Sequence, residues 1–219
     1  MSFQAAKSVV RAHYAALSGA TEASVVDALS AHTTASWQWR GVHPFNTQSG
    51  PGAVADAFWR PLIRAFNRLQ RREDIFFAGK NEIDGFETTW VVSMGHLMGL
   101  HDQPFLGIPA TRKIAMLRYA EFNQVDRGVI TQTALFVDLL HLMRQAGIQP
   151  ISSQTGMHLI QPGPATHDGL LRDDVSPIDG ARTLALINRM IGDINNRQIY
   201  ATPEEELSQC WHDDMIWWG

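Results

Sequence analysis

The sequence predicts an α+β protein in which helices pack against one antiparallel sheet. Two observations lead to this class. Most of the first 70 residues carry apolar side chains at helical spacing, whereas from Arg72 to Val137 the period changes to two. The strand-like segments also follow one another through short turns, such as residues 126–128, which makes neighbouring strands antiparallel. We expect the sheet to bend strongly and to enclose, with the helices, a cone-shaped pocket in which a site would lie.

Three helices are predicted before the main run of strands. They cover residues 3–18, about 22–31 and 53–70. Thr21 is the expected N-cap of the second helix. Pro61 lies inside the third helix and is expected to kink it or to mark a break, because proline cannot donate a backbone hydrogen bond.

Five strands are predicted. They cover residues 35–41, 74–79, 88–100, 111–125 and 129–137. In the first strand Trp37 and Trp39 share a face and could form an aromatic wall for a flat ring, although such alternation also suits a core. His43 follows this strand and could lie at the pocket rim. Phe136 and Asp138 share a face at the end of the last strand.

Composition excludes several classes of function. The 219-residue chain has a net charge of −4, which argues against nucleic acid as a partner. No apolar run approaches the roughly 20 residues of a membrane span, and the N-terminus lacks the apolar core of a signal peptide. The single cysteine, Cys210, excludes an internal disulfide, which fits a cytoplasmic location. Neither a glycine-rich phosphate loop nor zinc-ligand spacing occurs, so we expect no cofactor and no metal.

The junction between the last strand and the next helix carries the main catalytic candidate. Asp138 ends the strand beside Phe136 and precedes residues 139–147, a short helix with Gly147 at its C-terminal cap position. Apolar surroundings would raise the pKa of this carboxyl group towards the range of a general base. Asp is also a preferred N-cap residue, and the two roles are not exclusive.

Three further residues are candidates for binding a substrate. His96 lies on an apolar strand face and could stabilise an enolate oxygen, or it could be a buried core histidine. Arg118 could hold a carboxylate or phenolate group, or it could form a structural ion pair. Arg118 and Tyr119 lie on opposite faces of one strand, and the sequence does not decide which face lines the pocket.

The C-terminal segment repeats features of the N-terminal one. Residues 207–219 align without gaps on residues 29–41, and the identical pairs are Leu207/Leu29, Ser208/Ser30, Trp217/Trp39 and Gly219/Gly41. We therefore expect a complete domain at residues 1–147, an extended linker at 148–180 and an incomplete second repeat at 181–219. The chain would then be a truncated form of a longer tandem protein.

Motifs spread over the predicted complete domain carry a family resemblance. They are residues 95–99 (GHLMG), 105–111 (FLGIPAT), 118–122 (RYAEF), 128–130 (GVI), and Asp138 with residues 142–147 (LMRQAG). Together they resemble the SnoaL-like polyketide cyclase family, within the nuclear transport factor 2-like fold. The resemblance implies a cone-shaped α+β barrel and cofactor-free acid–base chemistry of the ring-closing aldol type. It also implies Asp138 as the base and a histidine among the groups that bind the enolate.

Two functions are predicted from these observations. The first is a cyclase-like enzyme that removes a proton next to the carbonyl of a small apolar or aromatic substrate, with Asp138 and His96 as catalytic residues. The substrate-binding residues would be Arg118, Trp37, Trp39, His43, Tyr119 and Phe136. The alternative is a non-catalytic module of the same fold that binds a small ligand or dimerises. We expect a homodimer, or packing against the missing second repeat.

Overall fold

The computed structural model describes residues 1–152, 160, 162–196, 200–213 and 215. The chain forms two compact units, Met1–Arg172 and Asp173–Gly219. The first unit contains the sheet, and the described part of the second consists of two helices and their connections. Trp217 and Gly219, which carry part of the predicted repeat, lie outside the described residues.

The first unit is built on one open, six-stranded sheet with strand order β2-β1-β6-β5-β4-β3. Its strands are β1 (Thr33–Gly41), β2 (Thr47–Ser49), β3 (Phe66–Lys80), β4 (Thr89–His101), β5 (Ile114–Asp126) and β6 (Val129–Val137). The consecutive strands β3 to β6 are antiparallel neighbours, as expected, and β1 is antiparallel to β2 but runs parallel to β6. The long chain between β1 and β6 supplies the crossover that a parallel pair needs. Because β2 and β3 are both edges, the sheet does not close into the barrel expected from the resemblance.

The helices of the first unit begin and end at recognisable signals. They are α1 (Phe3–Ser18), α2 (Val25–Ser30), α3 (Gly50–Val54), α4 (Arg60–Ala65) and α5 (Leu139–Gln145). The side chain of Ser2 caps α1 by accepting a hydrogen bond from the backbone of Ala5. A π-helical turn, Ala55–Trp59, joins α3 to α4 just before Pro61. The helical segment is therefore interrupted next to Pro61, where a kink or break was expected. The helix predicted to reach residue 70 ends at Ala65, because Phe66 is already paired in the sheet.

Helices α1 to α4 cover one face of the sheet, which we call the inner face. Its buried side chains include Trp37 and Trp39 of β1, Val91, Ser93 and Leu97 of β4, Leu117, Tyr119, Glu121 and Asn123 of β5, and Thr133, Leu135 and Val137 of β6. Towards one end of this face, aromatic rings pack against one another. They belong to Trp39, Phe45, Phe58, Phe66 and Phe105. The other side of the sheet is called the outer face.

Part of the predicted linker packs against the first unit. We call residues 163–172 the strap, because they run along the edge strand β3. The N–H of Phe76 donates to the carbonyl of Gly169 at 2.7 Å, and the N–H of Leu171 donates to the carbonyl of Phe76 at 2.7 Å. The ammonium group of Lys7, on α1, donates to the carbonyl of Leu171 at 2.8 Å. The strap is therefore part of the first unit.

The second unit contains α6 (Pro177–Asn195) and α7 (Pro203–Cys210). The helix predicted to restart at about Ala181 begins one turn earlier, where the side chain of Ser176 accepts a hydrogen bond from Ile178. The apolar side chains that α6 and α7 leave exposed include Leu186, Ile187, Ile191 and Leu207. The described part of this unit contains no strand, and the second repeat stays a prediction. Across the described residues of the whole chain, no helix is long and apolar enough to cross a membrane.

Candidate functional site

A buried ion pair lies at the centre of the inner face. Nη1 of Arg71 is 2.8 Å from Oε2 of Glu121, and the two side chains are only 10% and 3% exposed. The two atoms are not aligned as an N–H···O hydrogen bond, so each keeps hydrogen-bonding capacity that no described group uses. We call Arg71 and Glu121, with Tyr14, Ser93 and Tyr119 around them, the interior site.

Two phenol rings enclose the guanidinium group of Arg71. Its central carbon lies 3.7 Å from the ring centroid of Tyr14 and 4.4 Å from that of Tyr119. At these distances the cation is attracted to both ring faces, and more strongly than at an exposed site because water is excluded. The hydroxyl of Tyr119 is 2.7 Å from that of Ser93. The cation is therefore held in one place and one orientation.

Hydrogen bonds extend the interior site towards the first strand. Nδ2 of Asn123 donates to the hydroxyl of Tyr14 at 3.1 Å, and Oδ1 of Asn123 accepts from Thr133 at 2.7 Å. The indole N–H of Trp37 donates to the same threonine hydroxyl at 3.0 Å. Each of these polar groups is buried on the inner face, and their mutual bonds offset the cost of removing them from water.

In the opposite direction, towards the edge strand β3, the hydrogen-bond network of the interior site reaches the strap. The hydroxyl of Ser93 donates to Oε1 of Glu73 at 3.2 Å, and Oε2 of Glu73 lies 3.5 Å from Nη2 of Arg172. Glu73 pairs with Gly95 in register with Arg71 and Leu97, so regular alternation places its side chain on the inner face, and the irregularity in β3 follows it, between Glu73 and Ile75. Gly95 lies opposite this irregularity, and a Cβ atom there would overlap the carbonyl oxygen of Arg72.

Burial controls the protonation states of the interior site. It raises the pKa of Tyr14 well above its ordinary value, with the Glu121 charge acting in the same direction, and it also raises the pKa of Tyr119. For Arg71, burial alone would lower the pKa, but the charge of Glu121 and the two phenols outweigh it and raise the pKa. His13, on α1, is also buried, and burial, aided by the charge of Arg71, lowers its pKa to about 3. Near pH 7 the site therefore combines a cation with neutral phenols and a neutral imidazole.

The structure confirms that Asp138 is the N-cap of α5. Its Oδ1 accepts a hydrogen bond from the backbone of His141 at 2.9 Å, and its own N–H donates to the carbonyl of Arg118 at 3.0 Å. Beyond the end of β6, the side chain of Gln145 bonds both backbone groups of Met116, so α5 continues the ladder along β5. Asp138 thus lies between the end of β6 and the start of α5, beside β5. Its role as a base stays a proposal.

His96 and Arg118 lie on the outer face, not inside the cone. They face each other across β4 and β5, and His96 is 3% exposed with Nδ1 3.5 Å from Oδ2 of Asp74. Burial lowers the pKa of His96, Asp74 opposes this shift, and His141 and Arg118 reinforce it. The structure therefore groups His96 and Arg118 with His141 of α5, but on the side of the sheet away from the interior site. No three metal-ligating side chains come together among the described residues.

The other predicted substrate-binding residues are divided between the two faces. Trp37, Trp39 and Tyr119 are buried on the inner face. His43 is exposed in the loop after β1. Phe136 is 54% exposed on the outer face, where its ring meets that of Phe122 edge to face, so its expected place in the pocket is corrected.

Comparison with solved structures identifies the fold. A candidate SnoaL-like polyketide cyclase from Jannaschia sp. CCS1 superposes on 68% of this chain and 94% of its own, with a TM-score of 0.51 and 20% identity. The chain has the SnoaL-like, nuclear transport factor 2-like fold. IdmH, a candidate polyketide cyclase from Streptomyces antibioticus, matches 64% of this chain and 97% of its own (TM-score 0.51, 12% identity). AclR, a candidate hydroxylase from Streptomyces galilaeus, matches 70% and 91% (TM-score 0.53, 14% identity). No protein-family model and no curated protein matches the chain.

Within this SnoaL-like fold, sequence reasoning missed the charged core of the inner face. Alternation places Glu121 on the same face of β5 as Tyr119, but the sequence does not decide which face is the inner one. Arg71 precedes the irregularity in β3, where alternation fails as a guide.

A further histidine, His101, is buried on the inner face. His101 ends β4 on the inner face, fully buried, with its ring stacked at 4.7 Å on that of Phe66. Neither ring nitrogen has a hydrogen bond of ordinary geometry to any residue that the structure describes, and burial lowers the pKa of the ring. His101 is therefore a neutral polar group at the aromatic end of the SnoaL-like cone.

Proposed function

We propose that the protein is a cyclase-like enzyme that acts on a small apolar or aromatic carbonyl compound by cofactor-free acid–base chemistry at the interior site. The observation that carries this proposal is the buried Arg71–Glu121 pair. Desolvating two charges is expensive, and a hydrophobic pair of similar volume is often as stable or more stable. Charged groups that are retained at such a cost cluster at functional sites.

The chemistry needs a base on one side of the substrate and a charge acceptor on the other. Glu121 supplies the carboxylate, and its Oε2 lies 2.8 Å from Nη1 of Arg71 without an aligned hydrogen bond from any described group. Arg71 supplies fixed positive charge for the developing enolate oxygen, and the neutral phenols of Tyr14 and Tyr119 lie against it. In this scheme the α-proton passes to Glu121 while the negative charge moves to the carbonyl oxygen beside Arg71.

The assignment implied by the family resemblance is a competing proposal. In it Asp138 is the base and His96 binds the enolate. The two residues belong to the region between α5 and the outer face, and a substrate would have to bind there. The interior assignment is supported better, because Asp138 already uses one carboxylate oxygen to cap α5.

Solvent deuterium exchange tests the proposal without knowledge of the natural substrate. The protein is incubated in D₂O with 1-tetralone, an aromatic ketone, and loss of the α-proton signal is followed by NMR. We expect exchange above the buffer rate, loss of that excess in Glu121→Gln, and retention of it in Asp138→Asn. The reverse pattern would transfer the reaction to Asp138, and equal activity of both variants would remove both carboxylates from the mechanism.

The second candidate function is a dimerisation module, and exposed apolar side chains on the sheet favour it. Ile114 is 60% and Phe136 54% exposed. Phe136 also packs against Phe122, and apolar side chains that adjoin one another at the surface mark protein interaction sites. We expect a dimer in sedimentation analysis that Phe136→Glu converts to a monomer. A wild-type monomer at micromolar concentration would contradict this function.

A further inference from the structure

The strap closes a seam between the edge of the sheet and the first helix. β3 is an edge strand, and the strap pairs with it through the two hydrogen bonds between Phe76 and residues 169 and 171. On its other side the strap is bonded by α1, since Lys7 donates to the carbonyl of Leu171 and Gln4 donates to that of Arg172 at 2.8 Å. The strap therefore bridges two elements that would otherwise leave an edge open.

The interior site lies directly behind this seam. Arg172 is 3.5 Å from Glu73, which accepts a hydrogen bond from Ser93, whose hydroxyl contacts that of Tyr119. Only two side chains thus separate the strap from the ring that packs on Arg71. Glu73 is mostly buried, whereas Arg172 is half exposed, so the chain of contacts runs from solvent to the interior.

Glycine allows the strap to lie close against β3. A Cβ atom on Gly169 would overlap the carbonyl oxygen of Asp74, and one on Gly163 would lie 3.0 Å from the Cβ atom of the same residue. These contacts occur at Asp74, within the irregularity of β3 between Glu73 and Ile75. A side chain at position 169 would push the strap away from the edge without touching the interior site.

We propose that the strap is a gate over the interior site and that Arg172 is a positioning residue that acts through Glu73. When the strap lies on β3, Arg172 holds Glu73, and Glu73 holds Ser93 and hence Tyr119. When the strap lifts, the seam opens and the interior becomes accessible beside Ser93. That a substrate uses this entrance rests on the proposed function, whereas the opening itself does not.

Thiol labelling measures the opening directly and needs no turnover. Cys210 is the only cysteine, so Cys210→Ser provides a background in which Ser93→Cys and Thr133→Cys are single buried probes. Thr133 lies on the inner face at the far side of the network, bonded to Trp37. Each probe is labelled with iodoacetamide under native conditions, and the rate is followed by mass spectrometry, since a buried thiol reacts only when the structure opens locally.

The gate is released by Gly169→Ala, and Gly180→Ala serves as the matched control because a Cβ atom there meets nothing within 4 Å. We expect Gly169→Ala to speed labelling at position 93 about 10-fold or more, as for an overpacked site, and to change labelling at position 133 less than 2-fold. Gly180→Ala should change neither rate.

A milder variant, Arg172→Gln, tests the gate if Gly169→Ala destabilises the whole first unit and speeds labelling at both positions. Arg172→Gln removes only the half-exposed ion pair, and we expect it to speed labelling at position 93 about 2- to 5-fold with position 133 unchanged. Equal acceleration at both positions in Arg172→Gln, or none at position 93 in either variant, would overturn the proposal. If the wild-type protein showed no deuterium exchange with 1-tetralone while the strap variants changed the labelling rates as expected, the proposed function would be contradicted and the gate would not.

Discussion

Removal of the negative charge of Glu121 should be among the most damaging single substitutions in the first unit. Glu121→Gln keeps the shape of the side chain but leaves the Arg71 cation buried without a counter-charge. Because the two side chains are only 3% and 10% exposed, we expect the loss of free energy of unfolding that follows from breaking a buried ion pair, about 3–5 kcal/mol. A surface ion pair would contribute only about 0–1 kcal/mol. For a unit of this size, that loss lowers the melting temperature by roughly 6–20 °C.

Urea unfolding followed by far-UV circular dichroism measures this cost, with Glu87→Gln as the control because Glu87 is exposed. The control should change the free energy of unfolding by less than about 0.5 kcal/mol. Arg71→Met combined with Glu121→Gln should be less damaging than Glu121→Gln alone, because no uncompensated charge remains. If Glu121→Gln cost less than about 1 kcal/mol, or if the double variant lost the sum of both single effects, Arg71 would not depend on Glu121 as we describe.

Three further predictions concern backbone approach, protonation and capping. Gly95→Ala should lower the free energy of unfolding by about 1–3 kcal/mol or more, because its methyl group overlaps the carbonyl of Arg72, whereas Gly79→Ala, which meets no neighbour, should be nearly neutral in the same urea titration. The free energy of unfolding should fall as pH drops from 6.5 towards 3, because His13 binds a proton in the unfolded protein but not in the folded one. This contribution is about 1.4 kcal/mol per pH unit, and it should be missing from the pH-dependent melting curves of His13→Leu. Asp138→Ala should cost about 0.5–2 kcal/mol in thermal melts through loss of the α5 cap, and no loss would contradict the capping role.

Much of the secondary structure could be predicted because the periodicity of apolar residues is a local property. The helix at residues 3–18 and the turn before β6 are confirmed, whereas the change from helix to strand comes at Phe66 and not at Arg72. In that turn Arg127 and Gly128 both have positive φ, as a tight hairpin requires. Gly147 also has the positive φ expected of a residue that ends a helix.

The assignment of side chains to the two faces could not be predicted, because irregular pairing interrupts alternation. Pairing shifts between Glu73 and Ile75 in β3, and again where Gln124 and Val125 meet β6. Alternation from a single reference residue therefore fails across these positions. Phe136 was placed in the pocket for another reason, because it shares a strand face with Asp138, and that face is the outer one.

The site itself depends on contacts between residues far apart in sequence. Tyr14 and Tyr119 approach the same guanidinium group from a helix and a strand, and no spacing rule connects them. The family resemblance drew attention to Asp138 and His96, which the structure places around α5 and the outer face. Sequence patterns therefore indicated the fold well and the location of the buried charges poorly.

Histidine ring signals provide the most direct test of the claim that ligands act at the interior site. His13 lies beside this site and His96 on the outer face, so NMR spectra of the imidazole rings report on both locations in one titration. Assignment follows from His13→Leu and His96→Gln. Addition of 1-tetralone is predicted to shift the His13 signals and to leave those of His96 unchanged. Shifts at His96 with none at His13 would place ligand binding on the outer face and contradict the account.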